Sequence, residues 1–364
     1  MRISTLVPKL LLLNDNGIEE ALKNGSIKVD GKLDADQIQP ASLDIRIGRV
    51  KLYDHEAMKL TAQHFNQQAK FDAEPTDGFA KVTEDAEGNH VDIPTASFVE
   101  IFFHESISYD HNKYFTTVDL RSSRGRMGLS LASRLVESSV EGSYVRLWNF
   151  NPNTIRLYSN DKFVQLFFHP RSYKVPTDGY VVTDLDEVDS IAKKLGEIKT
   201  YGPYLVFNLG EHLLKFKKDI GVIDTNKKYH DDELYQRYDT SKKVSILPGE
   251  AVIAQLAPRL NLPADIGIQL LHKIPYAQNP GFLTPDPSMA FVEGCVVNAG
   301  WVDPGYNGNV TAHPLRRKFP ANLANGDAIA LGLIYRYTRP VKRPYGSSAL
   351  KSHYQNSTGD GAKS

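Results

Sequence analysis

Apolar and polar positions alternate along most of this chain with a period of two. Leu43, Ile45 and Ile47 alternate with Asp44, Arg46 and Gly48, which marks a half-buried strand. Residues 66–96 are polar and broken by Asp77-Gly78 and Glu87-Gly88, so they read as a long excursion with turns. From Ser97 the alternation resumes in FVEIFF and FTTVDL, then continues through YVRLWNF and FVQLFF. Two segments keep a helical period instead. Ile18, Ala21 and Leu22 fall at i, i+3 and i+4, with Asp15 or Asn16 as the cap and Gly25 as the stop. Val188, Ile191, Ala192 and Leu195 do the same over 184–195, ended by Gly196. Short strands with frequent turns predict an all-β barrel or jelly-roll arrangement with small helices.

The pattern also returns on itself. Aligning Gly48 with Gly210 makes the apolar sets 43/45/47 and 205/207/209 coincide. Gly142 and Asp161 are 19 apart, and so are Gly308 and Asp327. A recurrence of about 165 residues is too long for a solenoid and indicates two copies of one β domain. The expected division is 1–175, 176–340 and a C-terminal tail or lid over 341–364.

Charge narrows the partners. The 364 residues carry 43 Lys+Arg against 43 Asp+Glu, a formal net charge of zero. No global field draws such a chain to nucleic acid or to an anionic membrane. A composition of 41% hydrophobic and 24% charged residues excludes a disordered chain, a collagen-like fibre and a coiled coil. Cys295 is the single cysteine, so an internal disulfide and a Cys-rich zinc site are both excluded. This fits a reducing compartment, with the cytoplasm as the expected location. No apolar run reaches the ~18 residues of a membrane span. The opening MRISTLVPKLLLL runs straight into NDNG and reads as the approach to a helix, not as a signal peptide.

Two polar clusters carry candidate chemistry. In DLRSSRGRMGLS, the residues Arg121, Ser122, Ser123, Arg124 and Arg126 follow directly on a strand. Guanidinium forks and hydroxyls suit phosphate oxygens, and a solvated basic turn is the alternative. In VVNAGWVDPGYNGNV, Asp303-Pro304-Gly305 and Asn307-Gly308 make a tight loop. Glycine there admits a ligand close to the backbone, and Tyr306 can stack on a base or sugar or serve as the buried aromatic of a hairpin. Arg316, Arg317 and Lys318 read as a solvated turn, and eleven histidines lie without metal-ligand spacing. The zinc deaminase signature, the P-loop and the dinucleotide fingerprint are all absent.

Taken in order, IQPASLDIRIG, RSSRGRMGL, AGWVDPGYNG and the tail RPYGSSALKSHYQNSTG resemble the dCTP deaminase and trimeric dUTPase family. The likeness is to the long, two-domain form and covers nearly the whole chain, with 54–96 and 211–240 matching poorly. It implies two tandem distorted β-barrels of dUTPase type. It implies phosphate binding at Arg121, Ser122, Ser123 and Arg126, and a sugar and base pocket at Ala299, Asp303, Tyr306 and Gly308. Gln165 would support that pocket, and Tyr345, Tyr354 and Gln355 are the lid candidates.

The first half has the arginine-serine arm but Glu137 where Asp303 falls in the second. The second half has the loop, but HKIPYAQ (272–278) stands where the arm would be. The halves therefore read as complementary parts of one site. The implied activity is zinc-independent deamination of dCTP to dUTP, with Mg2+ carried by the triphosphate, no resident metal, and a homo-oligomeric assembly.

One departure bears on the reaction. The family's catalytic Glu lies five residues after the glycine that ends the loop, and here that position is His313 (Leu147 in the first half). A neutral histidine can accept a proton, though a structural role fits equally. Asp303 matches the water-orienting Asp of dUTPases. Pro314 disfavours regular strand pairing beside His313. In the tail, His353 and Ser357 replace the usual Lys and Gln. A dUTPase-type pyrophosphatase giving dUMP and a non-catalytic nucleotide-binding homologue remain open.

Overall fold

The structure is a computed structural model that describes residues 10–52, 83–85, 88–139, 142–175, 177–271, 295–297, 300–317, 320–348, 350, 352 and 354–359. Side chains are described throughout these except at 83–89, 138–139, 295–297 and 313–317. Much of the polar excursion and the HKIPYAQ segment lie outside the described residues, although Thr83–Asp85 and Gly88–Ile93 form strands.

The chain is all-β with small helices, as its alternation predicts. One sheet runs through Tyr114–Leu120, Lys162–Pro170, Leu43–Leu52, Phe98–Phe103 and Gly142–Asn149, each antiparallel to the next. A second runs through Ile266–Leu270, Ala328–Tyr337, Tyr204–Phe216, Ala251–Ala257 and Thr311–Arg317, again antiparallel. The two orders follow the same sequence of elements. Both sheets also break register at the same place. In the first the shift falls between Ile47 and Val50, beside Gly48, and in the second between Leu209 and Leu213, beside Gly210. Such irregularities bend and twist a sheet toward closure. A Cβ at either glycine would come within 2.8 Å of a neighbour, Phe103 O or Gln255 Oε1.

The helix Asp15–Lys23 is capped by Asn14, not by Asp15 or Asn16. Asn14 Oδ1 accepts from Asn16 N at 2.9 Å and from Gly17 N at 3.3 Å. Asp15 falls inside the helix because its carboxylate is used elsewhere, accepting from Lys342 N and Arg343 N. The second helix, Leu185–Lys194, is capped by Asp184, and Gly196 follows in the left-handed region at φ +108. Arg316 and Arg317 belong to the Thr311–Arg317 strand, so the basic run does not form a turn there. Pro314 leaves its mark nonetheless. The register moves from Val252↔Leu315 to Ala254↔Ala312, a bulge at positions 313 and 314.

Two large cores fill the molecule. The first draws on Leu43, Ile45, Ile47 and Phe163, but also on Leu214, Phe216 and Ile253 from the second sheet. A small third core holds Leu12, Phe167, Val181, Tyr335 and Tyr337, with Trp301 packed against it. The N-terminal segment stitches the sheets together. Leu11 and Leu12 pair with Tyr180 and Gly179, while Leu13 N donates to Phe168 O at 3.0 Å. Among the described residues, no helix is long and apolar enough to cross a membrane.

Phe163 is 1% exposed and Tyr173 is 66% exposed. Phe163→Ala is expected to cost about 3–5 kcal/mol of stability through transfer and cavity terms. Tyr173→Ala should shift stability by less than about 0.5 kcal/mol. Denaturant unfolding of the two variants beside the parent protein checks both.

Candidate functional site

The arginine-serine arm begins where the Tyr114–Leu120 strand ends. Arg121 N donates to Phe163 O at 3.0 Å, and the chain then turns into a short helix over Ser122–Arg126. Arg121, Ser122, Ser123 and Arg126 line a cleft, together with Gln165. Gln165 donates to Ser42 Oγ at 3.2 Å, a supporting contact. The facing wall comes from the second sheet and its connections and includes Gly300, Trp301, Asp303 and Tyr306. Tyr345 and Tyr354 of the tail close the remaining side. Three motifs separated by up to about 230 positions thus meet in one cleft.

The three arginines of the arm are sorted by their partners. Arg124 pairs with Asp161 at 2.9 Å and reaches Thr225 O at 3.4 Å, so it fastens the fold. Arg126 is buried, with its guanidinium carbon 3.8 Å from the centroid of the Tyr354 ring. That is a cation–π contact, worth on the order of 0.5–2 kcal/mol. Arg121 turns its Nε toward Asp44, 3.4 Å from Oδ2.

Asp44 was missed by sequence reasoning. Alternation placed it on a polar face, yet it has no exposed surface at all. Both faces of the Leu43–Leu52 strand are buried over its first three residues, where Arg121 lies beside Asp44, while Arg46, Gly48 and Arg49 farther along keep exposed surface. The signal in the sequence was a carboxylate set between Leu43 and Ile45, within one of the four motifs. Neither Asp44 oxygen has a hydrogen-bond partner. Burial pushes its pKa up to about 6, against the pull of Arg121.

Asp303 lies across the cleft and keeps part of its surface open, but its Oδ1 is buried without a hydrogen-bond partner. Its pKa is pushed up to about 7, first by burial and then by the negative charge of Asp44. Trp301 and Arg121 act in the opposite direction. The two carboxylates come from opposite ends of the chain, and the charge of Asp44 discourages the ionisation of Asp303.

The tail lies on the Asp303–Asn309 loop. Tyr345 N donates to Pro304 O at 2.8 Å, Asn309 N to Ser357 O at 2.8 Å, and Asn307 N to Gln355 Oε1 at 3.1 Å. Gln355 Nε2 donates in turn to Gly305 O at 3.2 Å, so both ends of this amide hold loop backbone. Gly305 (φ +88) and Gly308 (φ +153) are left-handed, and a Cβ at either would strike the tail, near Pro344 and Ser357 respectively. Gln355 and Gly308 are therefore docking residues behind the cleft wall. Tyr306 donates to Asn309 O at 2.6 Å and packs 5.6 Å from Tyr345. Ala299 lies outside the described residues. So does the side chain of His313, whose backbone runs in the Thr311–Arg317 strand.

Chemically, the cleft offers guanidiniums and hydroxyls on one wall and a carboxylate poised near neutrality on the other. Such a site can hold a polyanion and exchange a proton with a group beside it.

Comparison with known proteins points the same way. A family model described as dCTP deaminase-like matches residues 12–170. A protein of Persephonella marina named "dCTP deaminase, dUMP-forming" is 30% identical over 164 residues, which is 43% of this chain and 83% of that protein. One of the same name from Acidothermus cellulolyticus is 27% identical over 155 residues, or 40% and 75% of the two chains. The crystal structure of 2'-deoxycytidine 5'-triphosphate deaminase from Agrobacterium tumefaciens aligns with a TM-score of 0.65 over 92% of this chain and 99% of that one. At 16% sequence identity that likeness speaks for the fold alone.

The raised pKa of Asp303 has a signed consequence for stability. The folded state, with its pKa near 7, holds the proton more tightly than the unfolded chain, near 3.8. Its contribution is therefore greatest below about pH 4 and is lost as pH rises toward 7. Relative to Asp303→Asn, the parent protein should lose thermal stability steadily across this window. Melting curves at half-unit pH steps measure the difference, and parallel profiles would contradict the assignment.

Proposed function

Since the chain belongs to the dCTP deaminase-like family, we propose that its cleft deaminates dCTP: dCTP and water give dUTP and ammonia. The observation that carries this reading is the meeting of Arg121, Ser122, Ser123 and Arg126 with Asp303 and Tyr306 in one cleft. The first group supplies donors for the triphosphate. Tyr306 and the loop backbone supply a wall for sugar and base. Asp303, its pKa pushed up to about 7, takes a proton from the attacking water and returns it to the departing amine. His313 is the other candidate for that proton, from its position after the loop. Gln355 and Gly308 act by keeping the loop and tail together.

Zinc has no part in this reading. Mg2+ would enter with the triphosphate and offset its charge. The unpartnered Oδ1 of Asp303 is a hard donor of the kind that suits Mg2+. Residues 1–175 and 176–340 are read as two copies of one domain that have specialised, with 341–364 as the tail. The expected homo-oligomer would repeat the cleft, and light scattering tests it.

A second reading rests on the relatives' printed names, which are dUMP-forming. Here the same cleft also releases pyrophosphate. Incubation with dCTP and, separately, with dUTP in the presence of Mg2+, followed by product separation, decides. dUTP and ammonia support deamination alone, and dUMP from either substrate supports the second reading. Binding without turnover leaves a nucleotide-binding homologue. Arg121→Ala should weaken dCTP by about 1.5–3 kcal/mol, the worth of a charge-assisted bond, and deoxycytidine far less. Asp303→Asn should remove turnover while keeping dCTP affinity within about tenfold, because proton transfer acts in the transition state. If His313→Ala removes turnover and Asp303→Asn does not, the proton carrier is His313.

A further inference from the structure

Asp119 stands two residues before Arg121, at the end of the strand that launches the arm. Its side chain is 2% exposed and accepts from Arg134 Nη2 at 2.6 Å. Arg134 follows the Leu129–Leu131 strand, and its carbonyl accepts from Val118 N at 2.8 Å, which pins its backbone beside Asp119. The same Nη2 reaches across to Leu270 O at 3.4 Å. Leu270 N in turn donates to Gly300 O at 2.9 Å. Leu270 and Gly300 line one wall of the cleft, and Leu120 and Arg121 line the other. Arg134 itself is absent from the lining.

One guanidinium therefore ties the base of the phosphate arm to the backbone of the wall that carries Asp303. We propose that Arg134 is a positioning residue. Its bond to Leu270 O sets the spacing between the two walls, and so how tightly the cleft takes a nucleoside triphosphate. This rests on the nucleotide reading above.

The difficulty in testing it is that Arg134 is half of a buried ion pair. Removing one partner alone strands a buried charge and destabilises the fold. Replacing both partners by apolar residues of similar volume is often neutral or stabilising. The double variant Asp119→Leu/Arg134→Met thus removes the bond to Leu270 O while sparing the fold. Arg134→Lys serves as a second variant. It keeps a charge for Asp119 but is shorter and unforked, and gives up Leu270 O.

Thermal melting and calorimetric titration with dCTP and Mg2+ are carried out on the parent protein and both variants. The expected result is a melting point near that of the parent with dCTP affinity reduced at least fivefold in each folded variant. Parent-like affinity in either folded variant overturns the positioning role and leaves a purely structural ion pair. If the double variant does not fold, Arg134→Lys alone decides. No dCTP binding by the parent protein itself overturns the nucleotide reading, and the inference falls with it.

Discussion

The arrangement of the cleft depends on one carboxylate that meets no water. Asp44 has no exposed surface, Arg121 is the cation beside it, and Asp303 lies near enough to feel its charge. Desolvation outweighs that attraction, so the group sits about two units above an ordinary aspartate, near 6. Two consequences follow. Arg121 is drawn toward the sheet by its Nε. Asp303, already buried at one oxygen, feels the Asp44 charge and is held near neutrality. The pairing leaves a carboxylate whose proton can come and go near physiological pH.

The two sheets also share segments and core residues. Leu11–Leu12 joins the second sheet while Leu13 bonds to the first. Leu214, Phe216 and Ile253, on strands of the second sheet, turn their side chains into the first core. Trp301 packs on the small core between the sheets and directs the chain into the loop bearing Asp303. At its root the tail is gripped by Arg339, Lys342 and Arg343, which pair with Glu20, Asp178, Glu19 and Asp15. Most of these pairs are partly exposed, and an exposed pair is worth about 0–1 kcal/mol. The backbone bonds between the tail and the glycine loop add about 0.5–1.5 kcal/mol each. The tail is thus held by many small terms.

Much of this was legible in the amino-acid order. Period-two alternation located the main strands, and period 3.6 located both longer helices, because side-chain periodicity is a local property of the backbone. The cap of the first helix was misplaced by one or two positions, since Asn14, Asp15 and Asn16 are all competent caps and only the demand of Arg343 for Asp15 separates them. Clustered arginines and serines and a glycine-rich loop marked both walls of the cleft. Spacing could not say which arginine faces it.

What the sequence alone determined is therefore the all-β character and the two motifs from which a nucleotide site can be built. Tertiary structure decided the rest. It sent Arg124 to Asp161, Arg126 to Tyr354 and Arg121 to Asp44, three partners from three distant segments. It turned Gln355 onto loop backbone and tied Asp119 to Leu270 through Arg134. Above all it buried Asp44, which alternation had assigned to a solvated face. Periodicity reports which residues share a face of a strand, whereas a second layer of the same chain decides whether that face meets water.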